Sequence, residues 1–455
     1  RMAPKLVDCI SMTDMKTTAG KIEDLSNKLT ESRAPQGEVP AARSAITALF
    51  DAGSFVETDA LARHRSTDFG REYDRPYTDG VITGYGTVGG RKVCAYAQDA
   101  TIFDGTMGEV YGEKITKLYD LAIKTGVPIV AMVAGDKPRA QEGIVSSAMQ
   151  ARILARATTA SGLIPQVTAV YADSKDASLV AALADVTIAP DGHLNASSEA
   201  NEIALIQQVL SYLPANNRAE APRTDAPLMV GSVEENMSAD DEALNSIVGD
   251  SGEVDLHAVL EAVCDDVFEL EAKVEGVFTG FGRVEGRTVG IIANRATFDA
   301  AASAKAARFV RLCDAFNTPI LEFVDAPALQ LETAALAKFV HAYSAASVGK
   351  LSIIVGRAHG TGYIAFGSKD LGADLSYAWP TAEIAVAAAA ALAQELEISE
   401  EEAAEYLSPY QAAERGLVDA VITPAATRAS IIEALRLLER KIVPTLPKKH
   451  GNIVL

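Results

Sequence analysis

The amino-acid sequence predicts two α/β domains of the same fold, arranged in tandem. The first observation is length, because 455 residues exceed one compact core and domains usually hold roughly 100 to 200 residues. The second is an internal duplication, and the third is the alternation of short β-rich runs with helical segments in both halves. Together they favour mainly parallel sheets covered by helices, with one sheet in each half.

The composition narrows the class of protein. Hydrophobic residues make up 48% of the chain and charged residues 22%, and the formal net charge is -20. A nucleic-acid-binding protein needs a basic face that neutralises phosphates, so we expect no nucleic acid among the partners. A small anionic ligand is compatible with this charge, because a local cluster of basic side chains or a helix N-terminus can hold it.

Cysteine usage and the N-terminal sequence favour the cytoplasm. Cys9, Cys94, Cys264 and Cys313 lie in no metal-binding or CxxC pattern, so we predict reduced and mostly buried thiols. No signal-peptide pattern opens the chain, and the most apolar run, residues 384–393, is short and bounded by glutamates. We therefore expect neither export nor a membrane span, and no bound metal.

The N-terminal segment, residues 1–45, is predicted as one amphipathic helix followed by a linker. Ile22, Leu25 and Leu29 recur at helical spacing, and the Pro- and Gly-containing stretch APQGEVPAARS follows them. The next run, AITALFDAGSFVE, predicts a short helix that leads into a strand.

The duplication extends without gaps over eighteen residues. GYGTVGGRKVCAYAQDAT from Gly84 matches GFGRVEGRTVGIIANRAT from Gly280 at nine of these positions. The match resumes between the segments that begin at Lys114 and Lys305, so each copy is predicted as strand, turn, strand, helix, strand.

An acidic, Pro-containing stretch between the copies is a linker by composition. We accordingly predict an N-terminal domain over residues 46–240 and a C-terminal domain over residues 241–455.

Ligands of parallel α/β sheets bind at turns that follow the carboxyl ends of strands, and each copy offers two such turns. The first copy has AGDKPRAQEG, residues 134–143, and ADSKDAS, residues 172–178. The second has DAPALQLETA, residues 325–334, and HGTGY, residues 359–363. Only the last is glycine-rich, and glycines let two backbone N–H groups approach one oxyanion.

Several longer motifs add a family resemblance. They include GSFVETDALARHRSTDF, DGVITGYGT, GYIAFGSK, YAWPTAEIAV, PYQAAERGLVDAVI and PKKHGNIVL. From about Ser54 to Leu455 the chain resembles the carboxyltransferase (β) subunit of biotin-dependent acyl-CoA carboxylases of the acetyl- and propionyl-CoA type, within the crotonase superfamily.

The resemblance implies two tandem crotonase-like domains, a hexameric ring and no cofactor bound by this chain itself. Acyl-CoA would lie mainly on the N-terminal copy, and carboxybiotin, carried by a biotin carboxylase and biotin carrier (α) subunit, on the C-terminal copy of a neighbouring subunit. CO2 would move from carboxybiotin to the α-carbon of the acyl-CoA, while amides at glycine turns stabilise the enolate and the ureido anion.

The resemblance also gives candidate site residues. On the biotin side, Thr361 and Gly362 would donate the oxyanion amides, with Gly360 and Tyr363 at the substrate. On the acyl-CoA side the candidates are Gly135, Arg139, Asp176, Ala177 and Ser178.

Simpler explanations exist for three charged or titratable residues of these turns. Lys137 and Arg139 would suit a CoA phosphate, but an exposed helix-terminal turn explains them more simply. His359, without a placed partner, is better explained as structural than as a base.

The first copy departs from the family at both turns. A GGARIQEG-type turn survives only in part, because Pro138 replaces an N–H donor. Asp173, Lys175 and Asp176 occupy a pocket that should be dry and anion-binding, where Asp176 would repel a developing enolate. Most of the segment that walls the acyl-CoA site, between TIAPDGHLN and LSYLPANN, is missing.

The second copy departs less. DAPALQLETA lacks the family's proline-glycine turn, and alanines 387–391 replace a glycine-containing sequence. We therefore favour an impaired or non-catalytic paralogue that assembles with an intact β subunit. Two alternatives stay open: an active carboxyltransferase for an unusual acyl-CoA, and a scaffold that works outside any carboxylase.

Overall fold

The computed structural model describes residues 15–34, 41–171, 178–190, 192–237, 239–247, 254–294, 298–327, 329, 333–444, 447 and 451–452. It divides into two compact units. Unit 1 holds the described residues up to Ala189 together with Ala196–Gln207, and unit 2 holds Pro190–Asn195 and the described residues from Gln208 onward.

The acidic stretch before residue 240 belongs to unit 2. The Thr224 N–H donates to the Gly286 carbonyl at 2.8 Å, and the Thr288 hydroxyl donates to the Pro222 carbonyl at 2.7 Å. The stretch is thus hydrogen-bonded to a hairpin of unit 2. Because of these contacts, the boundary expected at residue 240 lies inside unit 2. Amino-acid composition, from which the linker was assigned, contains no information about such contacts.

Unit 1 forms one sheet from its described strands, in the order β1-β2-β3-β4-β5-β6. The first three strands are antiparallel, and β3 to β6 are parallel. The elements are α1 Thr18–Arg33, α2 Ala41–Leu49, β1 Val56–Thr58, β2 Val81–Val88, β3 Arg91–Gln98, α3 Glu109–Thr125, β4 Ile129–Val133, α4 Ile144–Ala160, β5 Gln166–Val170, α5 Leu179–Leu183, β6 Val186–Ile188 and α6 Glu199–Tyr212.

Unit 2 repeats this arrangement. Its described strands follow the order β14-β12-β11-β10-β9-β8-β7, with β13 beside β11; β7 to β9 are antiparallel and the others parallel. The elements are α7 Ala239–Ala243, α8 Leu256–Val263, β7 Asp266–Leu270, β8 Val277–Val284, β9 Arg287–Asn294, α9 Ala300–Ala315, β10 Ile320–Ala326, α10 Thr333–Ala345, β11 Lys350–His359, α11 Thr361–Ala365, β12 Leu375–Ala378, β13 Glu383–Ala385, α12 Ala389–Leu396, α13 Glu400–Glu405, α14 Pro409–Glu414, β14 Ala420–Val421 and α15 Thr427–Leu438.

The duplication is confirmed by two matching buried lysines. Lys114 of α3 donates to the carbonyls of Thr78 and Val81, the latter at the start of β2. Lys305 of α9, its partner in the sequence repeat, donates to the carbonyls that correspond to these two in unit 2. Each ammonium therefore fixes the N-terminal half of a helix against the segment that enters the sheet, and carbonyl acceptors replace its lost hydration.

Two matching amide side chains hold the carboxyl ends of neighbouring strands together. Gln98, the last residue of β3, accepts the Ala134 N–H at 2.6 Å just after β4. Asn294, the last residue of β9, accepts the Asp325 N–H at 3.0 Å in β10. The candidate turns of both units therefore start from strands that are fixed in the same way.

Further predictions about single segments are confirmed. The N-terminal helix forms, although Ile22 and Leu25 of its apolar face are 62% and 48% exposed. Cys94, Cys264 and Cys313 are buried free thiols, while Cys9 lies outside the described residues. Among the described helices, none combines the length and the hydropathy that a membrane span requires.

Candidate functional site

The turns of interest lie at the carboxyl edges of the parallel strands, where the short helices α5 and α11 begin. The first backbone N–H groups of a helix have no partner within the helix. They are therefore the natural donors for an anionic oxygen, and their partners decide whether a ligand can use them.

In unit 1 a carboxylate of the protein already occupies these donors. Asp136, in the turn after β4, accepts the Leu179 N–H at 2.5 Å and the Val180 N–H at 3.3 Å. It also accepts the Ser178 hydroxyl at 3.0 Å, and Ser178 in turn accepts the Ala181 N–H at 3.1 Å. All three N–H groups of the first turn of α5 thus have internal acceptors.

Gly135, the candidate beside Asp136, is also engaged. Its N–H donates to the Gln98 side-chain oxygen at 3.3 Å. Its backbone has φ 149, a conformation that favours glycine. The glycine therefore serves the turn geometry, and its amide is directed at a side chain of the same unit.

Arg139 is buried, which corrects the expectation of an exposed turn residue. Its guanidinium lies 2.6 Å from Asp79 Oδ1 and 2.6 Å from Glu142 Oε1, and it donates to the Thr106 carbonyl at 3.0 Å. Burial raises the pKa of Asp79, and the charge of Arg139 opposes this shift. Arg139 holds two carboxylates inside the unit and is not placed to bind a CoA phosphate.

Acidic groups surround the end of β5. Burial raises the pKa of the Tyr171 hydroxyl, and the carboxylates of Glu202, Glu199 and Asp99 raise it further. Burial and the neighbouring Glu199 also raise the pKa of Glu202 to about 7. The carboxylates therefore place negative charge near the Tyr171 hydroxyl.

The charged turn itself is only partly described. Asp173, Lys175, Asp176 and Ala177 lie outside the described residues, and Ser178 is the N-cap of α5. That the charged side chains of this turn fill the acyl-CoA site therefore stays a prediction.

In unit 2 the corresponding helix begins without a carboxylate cap. Among the described residues, no acceptor is present for the N–H groups of Thr361, Gly362 and Tyr363, the first turn of α11. Gly360 precedes them with φ 51 and ψ -118, a backbone conformation that residues other than glycine rarely adopt. The role of these amides as biotin-side oxyanion donors stays a prediction.

Gly362 allows the backbone at the C-terminal end of β10 to lie close to this turn. A Cβ atom at Gly362 would lie 2.3 Å from the Ala326 carbonyl oxygen and 2.8 Å from that of Pro327. Thr361 closes the contact with its hydroxyl, which accepts the Leu329 N–H at 2.9 Å. Tyr363 is half-buried, and burial raises the pKa of its hydroxyl.

Beside this turn, His359 has a carboxylate partner that the sequence did not reveal. Its Nε2 lies 3.1 Å from Glu383 Oε2, across the pairing of β11 with β13. Burial lowers the pKa of His359, and Glu383 acts in the opposite direction. Arg357, on the same strand, forms two hydrogen bonds with the Asp325 carboxylate through its side chain, at 2.9 and 3.0 Å.

Sequence reasoning missed Asp136 and Asp79 as members of these sites. Asp136 is the third residue after β4, at a position where the repeat places Pro327 in the second copy, and this difference was available as a signal. Asp79 offered none, because its partner Arg139 lies 60 residues further along the chain.

Comparison with known proteins identifies the family and the fold of the chain. A model of the carboxyl transferase domain family matches residues 34–192 and 191–453. The chain is 40% identical to the biotin-dependent acetyl-/propionyl-coenzyme A carboxylase beta5 subunit of Mycobacterium tuberculosis, over 97% of this chain and 96% of the relative. It is 38% identical to the propionyl-CoA carboxylase beta chain of Saccharopolyspora erythraea, over 97% of each protein.

A solved structure of transcarboxylase 12S, a hexamer with methylmalonyl-coenzyme A and methylmalonic acid bound, superposes with a TM-score of 0.88. The two sequences are 31% identical, and the superposition covers 96% of this chain and 99% of the transcarboxylase chain. The alignment with the mycobacterial subunit spans 528 positions against a chain of 455 residues, so at least 73 positions carry no residue of this chain. The chain belongs to the carboxyl transferase family, as a β subunit of the acyl-CoA carboxylase type with two crotonase-like domains.

Proposed function

We propose that this chain is an impaired β subunit that assembles in a biotin-dependent acyl-CoA carboxylase beside an intact β paralogue. The observation that carries the proposal is the Asp136 carboxylate on the first N–H groups of α5. An enolate oxygen at that position would have to displace a carboxylate and would lie close to its charge. The acyl-CoA half would then lack the donors that stabilise the transition state.

The missing sequence supports the same proposal. The two matched segments of the family model meet at residues 191 and 192, between β6 and α6. At this point of the chain, between the motifs TIAPDGHLN and LSYLPANN, most of the family's segment that walls the acyl-CoA site is missing. In its place α6 brings Glu199 and Glu202 toward the end of β5, where they influence Tyr171.

The biotin side keeps the chemistry that a carboxylated ureido group needs. Thr361 and Gly362 would hold its oxygen through their N–H groups, which have no acceptor among the described residues. The bound group would supply the CO2 to be transferred, while this chain orients it. We place the biotin on a partner α subunit, the assembly in a hexameric ring, and the complex in the cytoplasm.

The test measures binding and turnover separately. The purified chain should show no saturable binding of propionyl-CoA in calorimetry and no CoA-dependent decarboxylation of carboxybiotin. Mixed with an intact β subunit and the biotinylated α subunit, it should enter a complex with a defined mass in native mass spectrometry. Turnover by the chain alone would contradict the impairment.

An active carboxyltransferase for an unusual acyl-CoA is the second candidate, and the open amides of α11 favour it. A panel of acyl-CoA esters of different chain lengths, assayed with the chain alone, separates this candidate from the first. A carboxylase-independent scaffold predicts a third outcome, in which neither carboxylase subunit is recovered with the chain from its native cell.

A further inference from the structure

Unit 2 contains a cavity of about 340 Å³ that is separate from the glycine turn. It is lined by residues that precede or open the parallel strands, such as Thr288 in β9, Pro319 before β10 and Gly349 before β11. The glycine turn follows the opposite, carboxyl ends of the same strands. The volume is within the range of small-molecule sites, roughly 300 to 1,000 Å³.

The cavity wall is cationic in a chain whose net charge is -20. Arg218, Arg223 and Arg287 line it, together with the carboxylates of Glu220 and Glu439. The arginines outnumber the acids, so the wall is a local exception to the negative field of the chain. Guanidinium groups are the preferred partners of carboxylate and phosphate, because their planar N–H donors match these anions.

Two of these arginines converge on one carboxylate. Arg223 Nη2 donates to Glu439 Oε1, and Arg287 Nη2 lies 3.6 Å from Glu439 Oε2. Arg287 is held in place by a hydrogen bond from Nη1 to the Leu435 carbonyl at 2.9 Å. The two guanidinium groups thus define a position for an anion, and a side chain of the protein currently occupies it.

Glu439 can leave this position at modest cost. It is the C-terminal capping residue of α15, and its side chain is 38% exposed. An ion pair with this exposure is worth little, about 0 to 1 kcal/mol. An anion with two charged groups could replace its carboxylate and contact Arg218 as well.

The rest of the wall is mixed, with Lys441, Asn317 and Ser347 as polar members and an apolar part beside them. Pro319, Val348 and Leu438 contribute to the apolar part. This part suits a short hydrocarbon portion between or beside the charged groups, because burying apolar surface stabilises the complex by roughly 25 cal/mol per Å².

We propose that this cavity binds a small dianion that carries carboxylate or phosphate groups, in exchange for Glu439. The site belongs to unit 2 alone and involves neither the first turn of α11 nor the capped turn of unit 1. It is therefore independent of the proposed function.

The test titrates the full chain with succinate and with inorganic phosphate at constant ionic strength, by calorimetry. Glu439→Gln should tighten binding by up to about fivefold, which corresponds to about 1 kcal/mol, because it removes the internal competitor. Arg223→Gln should weaken binding by a similar factor. Arg415→Gln changes the charge of unit 2 equally at an exposed residue that does not line the cavity, and should leave the affinity unchanged.

The two probes distinguish the sources of the anion. Tighter binding of succinate would assign the site to a dicarboxylate, and tighter binding of phosphate to a phosphate group. The proposal is overturned if neither probe binds, or if Arg223→Gln and Arg415→Gln have the same effect. It is also overturned if Glu439→Gln weakens binding, since Glu439 would then not compete.

Discussion

The two units use the same strand and helix positions for opposite purposes at their ligand-facing turns. In unit 1, Asp136 and Ser178 satisfy every N–H group in the first turn of α5. In unit 2 the matching turn begins with Gly360, and the repeat places Pro327 where unit 1 has Asp136. Proline brings no carboxylate, so no described carboxylate caps the first N–H groups of α11 as Asp136 caps those of α5.

This difference shows how one fold can cap the first N–H groups of a helix in one unit and leave them without a described acceptor in the other. The sheet order, the buried lysines and the amide side chains at the strand ends are common to both units. A single carboxylate in the turn after β4 is enough to stabilise the short helix and to fill its anion position. Stability and anion binding compete for the same donors, because each N–H group serves one strong acceptor at a time.

The largest difference between the units should follow removal of the turn arginines. Arg139→Met in unit 1 leaves Asp79 and Glu142 buried without a counterion, which costs about 3 to 5 kcal/mol. Arg357→Met in unit 2 removes a partner of Asp325 that is itself 39% exposed, so we expect about 1 kcal/mol or less. Urea unfolding of the two variants measures the difference, and equal losses would contradict it.

The next effect comes from a carboxylic acid that unit 2 has and unit 1 lacks. Glu322 of β10 is fully buried, and the repeat places Ala131 of β4 at its position. Burial raises the pKa of Glu322 to about 8, with the Tyr343 hydroxyl and the Lys350 ammonium as its neighbours. The folded state therefore binds a proton that the unfolded state releases above about pH 4.5.

The sign follows from that proton. The stabilising contribution of protonated Glu322 is complete below the unfolded pKa and is lost as pH rises through the folded pKa. The free energy of unfolding should fall between about pH 4.5 and about pH 8, by at most about 5 kcal/mol relative to Glu322→Gln. Titration of Lys350 does not contribute to the slope in this pH range. Burial lowers the pKa of its ammonium only to about 8, so its effect on the free energy of unfolding appears above that pH.

Urea unfolding across this pH range tests the prediction. Glu322→Ala, which gives unit 2 the residue of unit 1, should remove the same slope while creating a cavity that lowers stability at every pH. Parallel curves for the unsubstituted chain and both variants would show that Glu322 does not titrate in this range.

The sequence predicted the fold well because the duplication and the alternation of strands and helices are local and repeated signals. It also singled out the turn at α11, since Gly360 and Gly362 are visible in one short motif, and the biotin-side role of that turn stays a prediction. The capped turn of unit 1 was different. Asp136 meets the first turn of α5 across 43 residues of sequence, and each of the two segments alone gave no sign of the contact.

The burial of Arg139 was missed for a related physical reason. A charged residue in a Pro- and Gly-containing turn is usually exposed. Here its partners Asp79 and Glu142, and the Thr106 carbonyl, make the buried position acceptable. Whether a charged side chain can be buried depends on such a set of partners, and these partners come together only in the folded chain.

Removal of the cap in unit 1 should have an intermediate effect. Asp136→Ala leaves the Leu179 and Val180 N–H groups without their acceptor and should lower the free energy of unfolding by about 1 to 2 kcal/mol. Asp136→Asn retains an acceptor oxygen and should lose less than half of that. If the alanine variant also bound propionyl-CoA, the cap alone would account for the impairment of this half; no binding would assign the loss to the missing wall as well.

The smallest effect should come from the clamp beside the open turn. Thr361→Val keeps the shape of the side chain but removes the hydroxyl that accepts the Leu329 N–H and donates to the Leu329 carbonyl. Both groups lie near the surface, where water replaces them, so we expect a loss of about 0.5 to 1 kcal/mol in urea unfolding. Ser178→Ala, at the matching helix start of unit 1, removes a helix cap and should cost at least as much. A larger loss from Thr361→Val would mean that the open turn depends on its clamp, and that the two units maintain their turns by more similar means than their caps indicate.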